Sequence, residues 1–306
     1  MAEMKMKKYK DKSKESVLAR GQLLFSRIVV YAILIFLTFL CLFSFYLLLI
    51  NSSRSNGELQ AGFTMIPSTY FITNLKNAWT IYQTFASLNI AKGFLNSFII
   101  AAGNAILSTY FSTLTAYAIH VYDFKLKNFV FTFILAIMMI PTQVSALGFV
   151  KIIGQIGLDK IPVGTYIALI VPAAASPVVF FYMKQYMDSV LPLEIVESAR
   201  VDGSSELRTF NQIVLPIMRP AIAVQAIFTF VGSWNNYFTP ALLINKDDQN
   251  TLPIMIAYLR SMQNSKDFDL GLVYMFILLA ILPVIVVYIF LSKQIISGAT
   301  AGAVKG

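Results

Sequence analysis

Six long stretches without Lys, Arg, Asp or Glu constrain this chain more than any other feature of its sequence. Each is longer than the roughly 20 residues that a helix needs to cross the hydrocarbon core of a bilayer. They are Ile28–Asn51 and the segments between Lys92 and His120, Lys127 and Lys151, Lys160 and Lys184, Arg219 and Lys246, and Asp269 and Lys293. These windows predict an all-α integral membrane protein with six transmembrane helices.

The composition and the distribution of charge agree with a membrane protein. Only 13% of the residues are charged, whereas a soluble domain is about a quarter charged. The net charge of +9 does not indicate nucleic-acid binding, because the positive residues lie between apolar runs and form no aromatic-interleaved patch. Of the 24 Lys and Arg residues, 16 fall in residues 1–27, 120–128, 184–219 and the tail, and 8 fall in the alternating segments. This bias predicts that both termini face the cytoplasm.

The same pattern predicts the domain organisation. Residues 1–27 form a basic cytoplasmic arm whose first dozen residues are expected to be disordered near an anionic leaflet. Residues 28–292 form the six-helix transmembrane domain, which includes a cytoplasmic loop at 186–219, and residues 293–306 form a cytoplasmic tail. The polar and aromatic outer segment 51–93 fits either a short amphipathic helix around Ile72–Phe85 or a solvated loop.

The longest polar stretch in the second half of the chain runs from Pro192 to Pro220, and is here called the elbow. Pro192 fits the first turn of a helix, where its missing N–H costs nothing. Asp202-Gly203 is a turn signal, with Gly203 free to adopt a left-handed conformation. Ser204 or Ser205 can then cap a second helix that begins at Glu206. The elbow is therefore predicted to be a helix, a tight turn and a second helix, either docking a partner protein or lying free in solvent.

A few polar residues inside the apolar windows predict a path across the membrane. Pro141 removes a backbone hydrogen bond and kinks the third span, so Thr142 and Gln143 are expected to face a cavity. Asn235 and Asn236 are costly in a bilayer unless they face protein or water. In the second span the small polar residues, which include Asn104, are more typical of close helix packing than of a ligand site.

Several functions are disfavoured by what the sequence lacks. It has one cysteine, Cys41, and one histidine, His120, too few for a zinc site or a His-based catalytic group, so no metal site and no catalytic residue is predicted. It has no G-x-x-x-x-G-K-[ST] loop for nucleotide phosphates. The six windows have no acidic or basic residue for coupling to protons or sodium. A channel or facilitator that works without ions, and a transporter driven by a separate chain, both remain open.

The elbow closely resembles the EAA loop of ABC-importer permeases. The matching residues are Glu197-Ser198-Ala199, Asp202-Gly203 and Ile213-Val214-Leu215-Pro216, with Ser198 in place of the usual alanine. Other segments resemble carbohydrate-importer permeases, namely Asn96-Ser97, Ala116-Tyr117-Ala118, Met139–Val144, Trp234–Phe238 with Pro240, and the tail Gly298–Gly306. The resemblance extends from about residue 25 to the end of the chain.

This resemblance implies a type I ABC-importer permease in a bacterial-type plasma membrane. The implied partners are a second homologous permease, a cytoplasmic ATPase dimer that holds ATP and Mg, an extracytoplasmic solute-binding protein and a carbohydrate substrate; this chain itself would bind no cofactor. A non-sugar solute is the alternative. The implied ATPase-coupling residues are Glu197, Ser198, Ala199, Asp202, Gly203, Leu215 and Pro216. In the family the tail also reaches the ATPase, which implies contacts from Gly302, Ala303, Val304, Lys305 and Gly306.

Overall fold

The computed structural model describes residues 2–266 and 268–303, with side chains for residues 23–266 and 268–290. These residues form fourteen α-helices joined by short turns, and no strand occurs among them. Within these residues, five helical stretches are long and apolar enough to cross a membrane, and a bent pair of helices provides a sixth span if it is counted as one. The prediction of an all-helical protein with several membrane-crossing helices is confirmed.

The chain begins with α1 (Ala2–Ser52), followed by α2 (Asn56–Gln60) and α3 (Phe71–Thr80). The first dozen residues were expected to be disordered, but α1 already begins at Ala2. No Gly or Pro precedes Gly21, and the Lys and Glu residues of this part of the chain favour helix. The predicted outer helix is present as α3. The Asn74 amide of α3 donates to the backbone carbonyls of Ser52 and Arg54 at 2.9 Å, which fixes α3 against the end of α1.

The long helix α4 (Ile90–Val121) lies at the centre of the fold. Asn89 caps it by accepting a hydrogen bond from the Lys92 N–H at 3.1 Å. Its Ser and Thr residues are used for packing, as predicted. Ser108 contacts Thr229 at 3.4 Å and Ser112 donates to the Ser176 carbonyl at 3.2 Å. Small side chains allow such close approach between helices in a membrane.

The third predicted span is divided into α5 (Lys127–Met138) and α6 (Thr142–Ile156), whose axes differ by 98°. The sequence predicted a kinked helix, and the structure has a complete break. Pro141 lacks an N–H for the helical ladder, and its ring disfavours helical geometry at Ile140. The backbone of Pro141 is extended, with φ −61° and ψ 132°.

The fourth span is also interrupted. It consists of α7 (Gly164–Ile170), a 3₁₀ segment over Val171–Ala175 and α8 (Pro177–Val190). Ser176 between them is extended, and its hydroxyl accepts a hydrogen bond from the Val179 N–H at 3.5 Å, which caps α8. Proline next to an extended residue ends helical geometry and then starts a new helix, because its lost donor is not needed in a first turn.

The rest of the chain forms the elbow and the last two spans. The helices are α9 (Leu193–Val201), α10 (Glu206–Thr209), α11 (Leu215–Trp234), α12 (Phe238–Leu243), α13 (Leu252–Ser261) and α14 (Leu270–Ala303), with a π-helical segment over Phe210–Val214. The fifth window was expected to be one span through the two asparagines. Instead α11 ends at Trp234, so Asn235 and Asn236 lie in a break between α11 and α12.

The described residues form three buried apolar clusters, and α4 contributes to the two larger ones. One includes Leu88, Trp234, Leu252, Met255 and Phe276. The other includes Ala116, Tyr117, Phe180, Met183, Val196, Phe210, Val214 and Met218. The second cluster joins α9 of the elbow to the ends of α4, α8 and α11, so the elbow is part of the packed core.

Candidate functional site

The turn of the elbow is a Schellman motif centred on Gly203. Gly203 has a φ of +78°, in the left-handed region. Its N–H donates to the Arg200 carbonyl at 3.0 Å, and the Ser204 N–H donates to the Ala199 carbonyl at 2.9 Å. These two hydrogen bonds satisfy carbonyls that the end of α9 would otherwise leave unpaired. The predicted left-handed turn at Gly203 is confirmed.

The start of the second elbow helix differs from the prediction. Ser205 is the residue before α10, but its side chain makes no capping hydrogen bond. Ser204 instead accepts a hydrogen bond from the Thr209 hydroxyl at 2.9 Å, because its side chain faces the first turn of α10 from outside. The following helix widens into the π-helical segment before Pro216, a residue that cannot donate to the helical ladder.

An ion pair closes the elbow across its turn. Arg200 Nε lies 2.7 Å from Glu206 Oε1, and Tyr117 of α4 donates its hydroxyl to Glu206 Oε2 at 2.8 Å. The Arg200 guanidinium also lies over the Tyr122 ring, 5.3 Å from its centroid. The hydrogen bond that Arg200 donates to the Glu206 carboxylate raises the pKa of Arg200 above its ordinary value, so the guanidinium stays charged. Both elbow helices are thereby tied to the end of α4.

The predicted elbow residues divide into an exposed and a packed set. Glu197, Ser198, Asp202 and Gly203 are exposed, whereas Ala199 is buried at 6% exposure. Leu215 and Pro216 lie apart from the turn, where they line an apolar cavity of about 520 Å³ between α4 and α11. Ala199 therefore packs mainly against the protein's own core.

The elbow also exposes apolar side chains that the sequence pattern did not single out. Val201 is 88% exposed and Leu207 is 62% exposed, on the two sides of the Gly203 turn. Leu193 and Ile195 at the start of α9 are exposed as well. Apolar side chains next to exposed charged ones are typical of a protein-docking surface.

His120 is a structural residue in this protein. Its Nδ1 lies 2.7 Å from Asp188 Oδ1, and its Nε2 lies 2.9 Å from the Leu191 carbonyl oxygen. Lys184 reaches Asp188 Oδ2 at 2.6 Å. The histidine therefore joins the end of α4 to the end of α8, just before the elbow begins. Among the described residues no group of His, Cys, Asp and Glu has the geometry of a metal site.

The helix breaks of spans three, four and five meet around one uncharged groove. A cavity of about 310 Å³ is lined by Asn104, Ser176, Ser233, Asn236 and Thr239, together with apolar residues. A second cavity of about 190 Å³ contains Thr142 and Ser145. Phe149, Pro172 and Thr239 line both cavities, so the two are adjacent. We call this pair of cavities the polar groove.

The structure separates the four predicted path residues. Asn236 and Thr142 line the polar groove. Asn235 is exposed, donates to the Val231 carbonyl of its own helix at 3.0 Å, and lines a different pocket beside α13 and α14. Gln143 is exposed, and its side-chain oxygen lies 3.4 Å from the Thr142 hydroxyl. Thr142 and Gln143 diverge because consecutive residues of a helix point about 100° apart. Asn235 and Asn236 diverge in the break between α11 and α12.

Asn104 belongs to the groove although the sequence assigned it to helix packing. Its amide donates to the Ser233 hydroxyl at 2.8 Å, and both residues line the larger cavity. The signal available in the sequence was its type, since Asn104 and Asn96 are the two amide side chains of the second window. For the tail, Gly302 and Ala303 end α14, while Val304, Lys305 and Gly306 lie outside the described residues.

Several membrane-crossing helices, with breaks gathered around a polar groove, define a multi-pass membrane transport protein. The family model for binding-protein-dependent transport system inner membrane components matches residues 108–295. This match covers more than half of the chain, and the chain belongs to that family.

Individual relatives agree with the family. The chain is 35% identical over 277 residues to the arabinooligosaccharides transport system permease protein AraQ of Halalkalibacterium halodurans, covering 89% of this chain and 94% of the relative. It is 34% identical to AraQ of Bacillus subtilis, covering 92% and 96%. A bacterial ABC transporter involved in the import of the acidic polysaccharide alginate has a chain of the same fold, with a TM-score of 0.71 and 17% identity over 88% of this chain and 95% of that one.

Proposed function

We propose that this chain is one of two permease subunits of an ATP-driven importer, and that its elbow receives the motion of a cytoplasmic ATPase dimer. The second permease is a homologue of this chain, and an extracytoplasmic solute-binding protein delivers the cargo. ATP and Mg are bound by the ATPase subunits. The chain's own part is mechanical, because movement of the elbow rocks the spans between inward-open and outward-open states.

The observation that carries this proposal is the construction of the elbow. Its inner face is rigidly packed, with Val196 fully buried in the cluster that joins α4, α8 and α11. Its outer face exposes Glu197, Ser198, Asp202 and Val201. Because α9 packs directly against α4, α8 and α11, a force applied to this outer face moves these spans and is not absorbed by a flexible loop. In this scheme Leu215 and Pro216 act where α11 enters the membrane, and the tail residues Gly302 to Gly306 are a second ATPase contact.

We infer six spans in a bacterial plasma membrane, with α5 and α6 counted as one. The Lys and Arg bias of the loops favours cytoplasmic termini and a cytoplasmic elbow. Residues 1–27 then form the basic cytoplasmic arm, residues 28–292 form the permease domain, and residues 293–306 form the tail.

The cargo class that fits best is a neutral oligosaccharide. The support is the 35% identity to a protein named for arabinooligosaccharide transport, together with a groove lined by amides and hydroxyls. A non-sugar solute and an ion-independent channel are the competing functions. The rigid elbow disfavours the channel, because a protein that acts alone needs no docking surface for an ATPase.

The decisive experiment is to purify the tagged chain with its partners from native membranes and reconstitute the complex in liposomes. We expect a second permease and an ATPase to copurify, and the binding protein loaded with an arabino-oligosaccharide to stimulate ATP hydrolysis and uptake. Maltodextrin and an amino acid serve as alternative cargoes. Uptake that continues at full rate without ATP would refute the proposal in favour of a channel.

A further inference from the structure

The polar groove lies beside the middle of the long helix α4. Asn104 lies near the middle of α4, which runs from Ile90 to Val121. At 1.5 Å per residue, Asn104 lies about 21 Å from one end of this helix and about 26 Å from the other. Discontinuous helices near the bilayer midplane are a recurrent way to build a transport site, because backbone without regular hydrogen bonding is tolerated in a membrane only where it is buried in protein or lines a cavity.

The groove presents hydrogen-bonding groups that the protein itself leaves unused. The Asn236 side-chain oxygen accepts from the Thr239 N–H at 3.3 Å, while its amide nitrogen has no partner in the described part of the chain. The Asn104 nitrogen is used by Ser233, and the Asn104 oxygen remains unpaired there. The Thr239 hydroxyl likewise has no partner among the described side chains. Unpaired amide and hydroxyl groups of this kind are costly unless water or a ligand satisfies them.

The chemistry of the lining selects the kind of ligand. Every residue that lines the two cavities is uncharged, so a charged ligand would lose its hydration without gaining a counter-ion. The free groups include both donors and acceptors, and each sugar hydroxyl is both. Phe149 and Pro172 add an apolar surface, in the usual combination of apolar walls and a few placed polar groups.

We propose that this subunit itself binds one neutral, hydroxyl-rich unit of the cargo in the polar groove, through Asn104, Ser233, Asn236 and Thr239. This inference rests on the proposed function and adds to it a ligand site with named residues. It assigns the cargo contact to this chain rather than leaving it to the second permease. It also excludes Asn235, the immediate neighbour of Asn236, from that contact.

The test compares groove variants with a matched neighbour in the reconstituted complex. Thr239→Val keeps the side-chain shape and removes a hydroxyl that makes no hydrogen bond within the described protein. Asn236→Ser keeps an oxygen for capping α12 and removes the unpaired amide donors. Asn235→Ala is the control, because its side chain bonds only its own helix. The probe is a radiolabelled arabino-oligosaccharide presented on the binding protein.

We expect each groove variant to lower the uptake rate about 3- to 10-fold, the value of one net hydrogen bond. ATP hydrolysis stimulated by the loaded binding protein should stay within about twofold of wild type, because the elbow is unchanged; a structural defect would lower both. The Asn235→Ala variant should resemble wild type in both measurements.

Two outcomes overturn this inference in different ways. If Thr239→Val and Asn236→Ser both transport like Asn235→Ala, the groove is not a cargo site and the proposed function stands. If the wild-type complex shows neither stimulated ATP hydrolysis nor uptake with any sugar, the proposed function fails and the groove site fails with it.

Discussion

Arg200 at the end of α9 and Glu206 at the start of α10 form an ion pair of 2.7 Å across the Gly203 turn. The pair fixes the angle between the two elbow helices, and Tyr117 links its acidic member to α4. The elbow is therefore held by three kinds of interaction, namely a Schellman turn, an ion pair and a buried apolar face. Each can be removed separately.

Replacing Gly203 by valine should uncouple ATP hydrolysis from uptake. A Cβ at this position meets no atom within 4 Å, so the cost arises mainly from the left-handed φ of +78°, which is especially unfavourable for a β-branched residue. We expect uptake to fall at least about tenfold while the complex still assembles, since about 1–2 kcal/mol of strain distorts the turn without unfolding the spans. Gly154→Ala, which also gains an uncrowded Cβ, is the control. Normal uptake by the Gly203→Val complex would contradict the lever role of the elbow.

Glu206→Gln should weaken coupling more than Arg200→Gln. The Glu206 carboxylate accepts hydrogen bonds from both Arg200 and Tyr117. The Arg200 guanidinium donates to Glu206 and lies over the Tyr122 ring, which is a weaker contact than a hydrogen bond to a charged group. Because both members of the pair are more than a third exposed, each single change should cost less than about 1 kcal/mol of stability. The readout is the number of sugars taken up per ATP, for both single variants and the double variant. Strictly additive effects on this ratio would show that the two side chains do not act as a pair.

The segment between α1 and α3 should lose order in acid through Glu58. The Ser55 N–H donates to Glu58 Oε2 at 2.8 Å, and the Ser68 hydroxyl donates to Oε1 at 2.8 Å. These bonds lower the pKa of Glu58, with the Ser55 backbone bond as the largest cause. A lowered pKa stabilises the folded form above the unfolded pKa of about 4.3, and this contribution is lost as the pH falls through the folded value.

Limited proteolysis of residues 55–70 between pH 6 and pH 3 measures this effect. Wild type should become more susceptible as the pH falls. Glu58→Gln should already be more susceptible at pH 6 and should change less with pH. An equal pH dependence in both proteins would assign the acid sensitivity to another group.

Gly164→Ala should destabilise the start of α7. A Cβ there would lie only 1.7 Å from the Leu158 carbonyl oxygen, a backbone atom that cannot move aside like a side chain. We expect a loss of about 2 kcal/mol or more, in the range of overpacked positions, measured as a lower unfolding temperature of the detergent-solubilised complex. Gly148→Ala, where a Cβ meets no atom within 4 Å, should leave the temperature nearly unchanged.

Local chemistry was enough to predict the elbow's turn and most of the helices. Glycine adopts a left-handed φ more readily than any other residue, so the turn at Gly203 could be predicted from residue type and position alone. The charge-free windows likewise predicted membrane helices because a bilayer penalises charge. The helix breaks were only partly predictable: Pro141 indicated a kink, but the 98° angle depends on what α6 packs against.

The sequence by itself determined that this chain is a helical membrane protein with a structured polar elbow, since helix length, charge and turn chemistry are local properties. Only the tertiary structure decided which residues act together. It buried Ala199, paired Arg200 with Glu206, brought Asn104 beside Ser233 across 129 positions, and turned Asn235 away from Asn236. The physical reason is that helix ends and breaks set the direction in which each side chain points. These side chains form a site only where other helices pack opposite them and contribute the remaining residues.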